Sequence, residues 1–187
     1  MIEHFYESIE GWFSFRDFYE RMVREASSSA HFVEVGAWLG RSTAFLAAEI
    51  ANSGKEIRLD VVDTWQGSRD QPWMIEQARV VDLFGTFWQN MQWGKVSHVI
   101  RPIMLESTRA ARSYFDGELD FVFIDAGHVY LDISADIQAW MPKVKQGGIL
   151  AGDDFDPSTD PDVCIAVSEL IPGFQIQGRT WFKRIGE

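Results

Sequence analysis

Apolar residues along this chain recur at two spacings. Short apolar runs at His31–Val35, Ile57–Val62, Ser97–Ile103, Leu119–Asp125 and Ile149–Gly152 predict strands. Between and before them, apolar positions three and four residues apart predict helices over Phe13–Glu25, Arg41–Ala51, Ile75–Met91, Thr108–Phe115 and Leu131–Val144. Gly147 and Gly148 read as the stop of the last of these. Val163–Leu170 adds a helix. Phe174–Gln177 and Thr180–Ile185, parted only by Gly178 and Arg179, predict a hairpin.

Strands alternating with helices through short connections predict a parallel sheet covered by helices on both faces. The hairpin forces one of the last two strands to run antiparallel. The expected fold class is therefore α/β: a doubly wound, seven-stranded, mostly parallel sheet with a C-terminal antiparallel hairpin. No repeat or low-complexity tract divides the chain, so residues 1–187 are expected to form one domain, with residues 1–30 a helical segment packed on it.

Charge narrows the class of ligand. A net charge of -11 disfavours nucleic acid and anionic membranes, because both would be repelled. A small molecule is the expected partner, and homo-oligomerisation is left open. The single cysteine, Cys164, excludes an intrachain disulfide and reads as a core residue. Charges at Glu3, Glu7, Glu10 and Arg16, with no long apolar run, predict neither signal peptide nor membrane span and hence a cytoplasmic protein.

Candidate chemistry centres on HFVEVGAWLGRSTAFL, His31 to Leu46, where a strand passes through Gly36 and Gly40 into a helix. The free N–H groups of such a helix start point beyond the strand end, and Glu34 adds a carboxylate that suits hydroxyl or ammonium groups. The competing reading is tight packing of a glycine turn. Asp63 ends the second strand about 27 residues after Gly36, where a carboxylate can accept two ribose hydroxyls; a solvated strand end is the alternative. A nicotinamide dinucleotide is disfavoured, because its pyrophosphate would meet Trp38 where a middle glycine is needed.

A second group is FIDAGH, Phe123 to His128, followed by Gly152, Asp153 and Asp154. Three carboxylates at the ends of neighbouring strands repel unless a cation lies among them, and oxygen-only ligands suit Mg²⁺. Alternatively Asp153, Asp154 and Asp156 cap the following loop and helix. His4, His31 and His98 lack acidic partners in the pattern and read as structural. Phe84, Phe87, Trp88 and Met91 have the spacing of a core-facing helix, although some aromatic side chains between Trp65 and Trp93 could line a pocket.

Seven strands with a final antiparallel hairpin, the glycine turn EVGAWLGRS after the first strand and the acid ending the second together resemble the class I S-adenosylmethionine-dependent methyltransferases. Trp38 in the glycine turn brings the chain closer to the small metal-dependent O-methyltransferases of the catechol and macrocin or cephalosporin-pathway types. The resemblance implies a Rossmann-like class I methyltransferase fold and S-adenosylmethionine as cofactor. Glu34, Gly36, Ala37, Trp38, Gly40, Arg41 and Ser42 would meet its methionine end. Asp63, Thr64 and Trp65 would meet the ribose or adenine, and Met104 and Ser107 the adenine, with Asp125 also facing the cofactor. Mg²⁺ would be held by Asp125, Asp153 and Asp154, and His128 matches the position of a general base; a surface or capping histidine is the alternative. The acceptor would be a small hydroxylated molecule. Two other functions stay open: a metal-independent methyltransferase and a non-catalytic S-adenosylmethionine-binding protein.

Overall fold

The computed structural model describes all 187 residues. Seven strands form one sheet: β1 (His31–Val35), β2 (Arg58–Asp63), β3 (Ile100–Met104), β4 (Leu119–Ile124), β5 (Val144–Gly152), β6 (Gln175–Gln177) and β7 (Thr180–Arg184). Their spatial order is β3-β2-β1-β4-β5-β7-β6. The pairings from β3 across to β5 are parallel, and β7 runs antiparallel to both β5 and β6. The reversed strand is thus β7, and β6 returns to the common direction at the edge.

Seven helices flank the sheet: α1 (Arg16–Glu25), α2 (Arg41–Ser53), α3 (Pro72–Val80), α4 (Leu83–Trp93), α5 (Ser107–Ala111), α6 (Tyr130–Trp140) and α7 (Pro161–Leu170). The pleat sends alternate residues of each central strand to opposite layers. Phe121 and Phe123 of β4 join a core layer with Phe18 and Tyr19 of α1 and Phe45 and Leu46 of α2. Val122 and Ile124 join the other, with Ile137 and Trp140 of α6 and Val163 and Val167 of α7. Each such buried side chain contributes about 1.5–3 kcal/mol relative to exposure, which holds the sheet between its helices. The N-terminal segment packs on the first layer through Ile9, Phe15 and the buried face of α1.

Some boundaries differ from those the pattern predicts. The helix expected over Ile75–Met91 is two helices, because Asp82 starts a new one: its side chain accepts the Gly85 N–H at 2.8 Å. The strand expected from Ser97 begins at Ile100, after a 3-10 turn over Ser97–Val99. The helix expected over Thr108–Phe115 spans only Ser107–Ala111. Gly147 and Gly148 do not stop a helix. Pro142 sits in a 3-10 turn that ends α6, and β5 already runs from Val144, with the two glycines in a bulged stretch where register to β4 shifts. No helix is long and apolar enough to cross a membrane.

Candidate active site

The sheet reverses its winding between β1 and β4, and in open α/β sheets the crevice beyond the strand ends at that point is where ligands bind. A cavity of about 390 Å³ opens there. Its floor depends on Gly36, whose φ is +90° and whose missing side chain admits the β4 loop: a Cβ would lie 1.8 Å from the Asp125 carbonyl oxygen. Hydrogen bonds join the three loops. Asp125 N–H donates to Val35 O and Gly36 N–H to Val62 O, both at 2.8 Å.

Asp63 organises the turn that follows. Its Oδ2 accepts the Ala37 and Trp38 N–H groups at 2.8 and 2.9 Å, and its Oδ1 accepts the Trp65 N–H at 2.6 Å. Trp65 Nε1 donates to Trp38 O at 2.9 Å, and Trp38 Nε1 donates to Gln77 at 3.0 Å. Trp38, Trp65 and Asp154 have φ of 45°, 51° and 63°, and all three line the cavity. Left-handed backbone at a non-glycine residue costs on the order of 1–3 kcal/mol and persists where surrounding contacts impose it, commonly at functional sites.

The acidic group lies on the same wall. Donor atoms of Asp125, His128 and Asp154 all fall within 4.8 Å of one another. This is not the trio expected for the metal, since His128 takes the place of Asp153. Asp153 stands beside the cluster, with Oδ2 3.4 Å from the Ser14 hydroxyl and Oδ1 buried without a partner. Burial and the Asp154 charge push Asp153 up to about 6, and burial with both neighbouring charges pushes Asp125 well above the usual carboxylate range. Asp154 moves the other way despite burial, because His128 Nε2 at 2.9 Å and Arg179 Nη2 at 2.8 Å stabilise its charge. The hydrogen bond to Asp154 outweighs desolvation at His128 and, with Asp70 on Nδ1 at 2.6 Å, raises the imidazole to about 10. In this arrangement the ring carries a proton on both nitrogens at neutral pH, so it could accept one, as expected of a general base, only after Nε2 has lost its own.

Among the other candidates, Gly36, Ala37, Trp38, Arg41, Ser42, Asp63, Thr64, Trp65, Ser107 and Asp125 line the cavity. Glu34, Gly40 and Met104 do not. The Glu34 side chain follows Phe32 onto the α1–α2 face of β1, where it accepts the Tyr19 hydroxyl at 2.9 Å and bonds Thr43; burial raises it to about 7. Gly40 starts α2 against Phe87 and Met91, and Met104 is half exposed. His31 and His4 are not free of acidic partners: His31 Nε2 lies 2.8 Å from the buried Asp60, and His4 Nε2 lies 2.8 Å from Glu49. Phe87 and Met91 are fully buried, while Cys164 is only partly so.

Sequence reasoning missed the residues that distant segments bring in. Gly11 and Trp12 reach the cavity because Arg41 Nη1 donates to Ile9 O and Gly11 O at 3.2 and 2.9 Å, and Trp12 stacks on Trp38 with centroids 5.5 Å apart. Asp70 and Gln77 belong to no motif, and Arg179 was marked only as a turn residue of the hairpin, with nothing in the chain to point it at Asp154.

Comparison with known proteins agrees with this architecture. The chain matches the structure of the O-methyltransferase NovP with a TM-score of 0.68 at 15% identity, over 90% of this chain and 78% of that one. CalS11, a calicheamicin methyltransferase, gives 0.67 at 16%, over 92% and 77%. At such identities these likenesses show the fold. An uncharacterised protein of Sinorhizobium fredii, y4gI, is 26% identical over 155 residues, covering 82% of this chain; the chain spans 16% of that protein's length. Residues 33–155, from inside β1 to just past the acidic cluster, match the family described as Methyltransferase domain. The chain therefore belongs to the methyltransferase-domain family, and its fold is that of these methyltransferase structures.

Proposed function

We propose that this chain transfers the methyl group of S-adenosylmethionine to a hydroxyl oxygen of a small acceptor, with a divalent cation at the acidic cluster. One observation carries this reading. Asp125 and Asp153 share the cavity of the glycine turn, and neither carboxylate is in an ion pair. The buried, unpartnered Asp153 Oδ1 and the carboxylate oxygens of Asp125 and Asp154 fit a cation such as Mg²⁺, held by Asp125 and Asp154 with Asp153 or the His128 nitrogen beside them. When bound, such an ion lowers the pKa of the acceptor hydroxyl.

The chain's own residues supply orientation and proton transfer. Asp63 fixes the turn from Ala37 to Trp65 in the shape that receives the cofactor, and its remaining lone pairs suit ribose hydroxyls. Transfer from a sulfonium needs the acceptor oxygen in line with the methyl group, and Trp12, Trp38 and Met74 narrow the space above the turn. His128 takes the hydroxyl proton at Nε2 once that nitrogen has left Asp154 and given up its own proton to solvent, while Nδ1 keeps its hydrogen toward Asp70. A second reading has its own support: Arg179 and His128 together neutralise Asp154, as a metal-independent enzyme would require.

A thermal-shift series with S-adenosylhomocysteine, with and without Mg²⁺, tests both. Cofactor at a hundredfold excess over its Kd stabilises by about 2.7 kcal/mol, a rise of roughly 5–10 °C for a chain of this size. A further rise with Mg²⁺ supports the first reading. Cofactor without any Mg²⁺ effect supports the second, and no cofactor shift overturns both.

A further inference from the structure

The stretch from Gln66 to Asp82 forms the roof of the cavity, and its helix α3 buries none of its side chains. Its packing is slight, with Ala78 half-buried against the first core layer, so specific contacts add much of what holds it. Gln77 accepts from Trp38 Nε1, and the Trp73 ring stands edge-on to Trp38 with centroids 5.6 Å apart. The third contact reaches the acidic cluster. Asp70 Oδ2 accepts both the backbone N–H of His128, at 3.1 Å, and its ring Nδ1, at 2.6 Å, while Oδ1 accepts the Ser68 hydroxyl. No lysine or arginine pairs with Asp70, so its one ionic contact is His128.

An ionised carboxylate only accepts hydrogen bonds, so the 2.6 Å contact requires a hydrogen on Nδ1. The other nitrogen, Nε2, is thereby the atom turned to Asp154 and the cavity. The geometry points to Asp70 as a positioning residue that holds His128 with Nδ1 protonated and ties the roof to the acidic cluster, so that Nε2 is presented when the roof is in place. The same division of labour operates where a carboxylate orients a catalytic or metal-bound imidazole. Catalytic use of Nε2 rests on the function proposed above; the tie itself does not.

The test uses the full chain labelled with ¹⁵N and needs neither acceptor nor metal. Imidazole ¹H–¹⁵N correlation spectra, with His128→Gln assigning the resonance, should show a slowly exchanging Nδ1-bound proton in the wild type. In Asp70→Ala, with no acceptor to shield it, that proton should exchange with solvent fast enough to lose the signal, and Asp70→Asn, whose amide oxygen still accepts, should restore it. Hydrogen exchange across α3 should speed up about tenfold in Asp70→Ala and less in Asp70→Asn. An Nδ1 proton that exchanges as slowly in Asp70→Ala as in the wild type overturns the proposal, as does an Asn variant no better than Ala. Titration of the wild type with S-adenosylhomocysteine separates the two ideas: no binding there refutes the methyltransferase reading while leaving the spectra to decide the role of Asp70.

Discussion

Replacing Glu34 by Gln should flatten the pH dependence of stability in a predictable window. Glu34 is fully buried, and its Oε atoms are held by Tyr19 and Thr43. Burial, reinforced by the charge of Asp63, outweighs those hydrogen bonds and raises the carboxyl from 4.5 to about 7. The folded state therefore binds the proton more tightly than the unfolded chain. The stabilisation is fully present below about pH 4.5 and is lost as pH rises to and through 7. At about 1.4 kcal/mol per pH unit, the loss amounts to about 3 kcal/mol between pH 4.5 and 8. Glutamine keeps the shape, and the hydroxyls of Tyr19 and Thr43 can turn to accept from its amide, so any offset should not vary with pH. Urea unfolding of both proteins at half-unit intervals from pH 5 to 8 isolates the effect, since other titrating groups are common to both. The wild type should lose about 2–3 kcal/mol more than Glu34→Gln over that range. Parallel curves would refute the assignment of a raised, buried Glu34.

Three further outcomes follow from the site. Asp63→Ala frees the Ala37, Trp38 and Trp65 N–H groups, so S-adenosylhomocysteine affinity measured by calorimetry should fall by roughly 1.5–3 kcal/mol and the melting temperature should fall with it; an unchanged affinity in the folded variant removes Asp63 from the cofactor site. Asp153→Asn relieves repulsion from Asp154 at a group already raised to about 6, so without added metal it should stabilise the protein by roughly 1–2 kcal/mol at pH 8 and by about half as much at pH 5, while shrinking any Mg²⁺-dependent thermal shift; destabilisation at pH 8 contradicts the charge argument. Gly36→Ala places a Cβ on the Asp125 carbonyl at a φ of +90° and should destabilise by more than about 3 kcal/mol or abolish folding, whereas wild-type unfolding curves would show that the β4 loop can move aside.

The chain by itself determined its element order and much of the cavity floor. Period-two and period-3.6 patterns report which residues must be buried, and glycines with strand-end acids report where the backbone turns, so β1, the start of α2, Asp63 and Asp125 were legible locally. Gly178 and Arg179 likewise marked the hairpin, although only the sheet order made β7 the reversed strand. What local pattern could not carry was the direction and company of polar side chains. Glu34 lies one residue from the strand end, yet the pleat turns it away from the cavity toward Tyr19, 15 residues earlier in the chain. His128 finds its partners 58 residues away at Asp70 and through an Asp154 that Arg179 also holds. Those contacts depend on crossovers and on a roof with no buried side chain, so they leave no periodic trace. Only the tertiary structure, by bringing carboxylates and cations into one poorly solvated space, decided which groups are charged and which nitrogen of His128 faces the cavity.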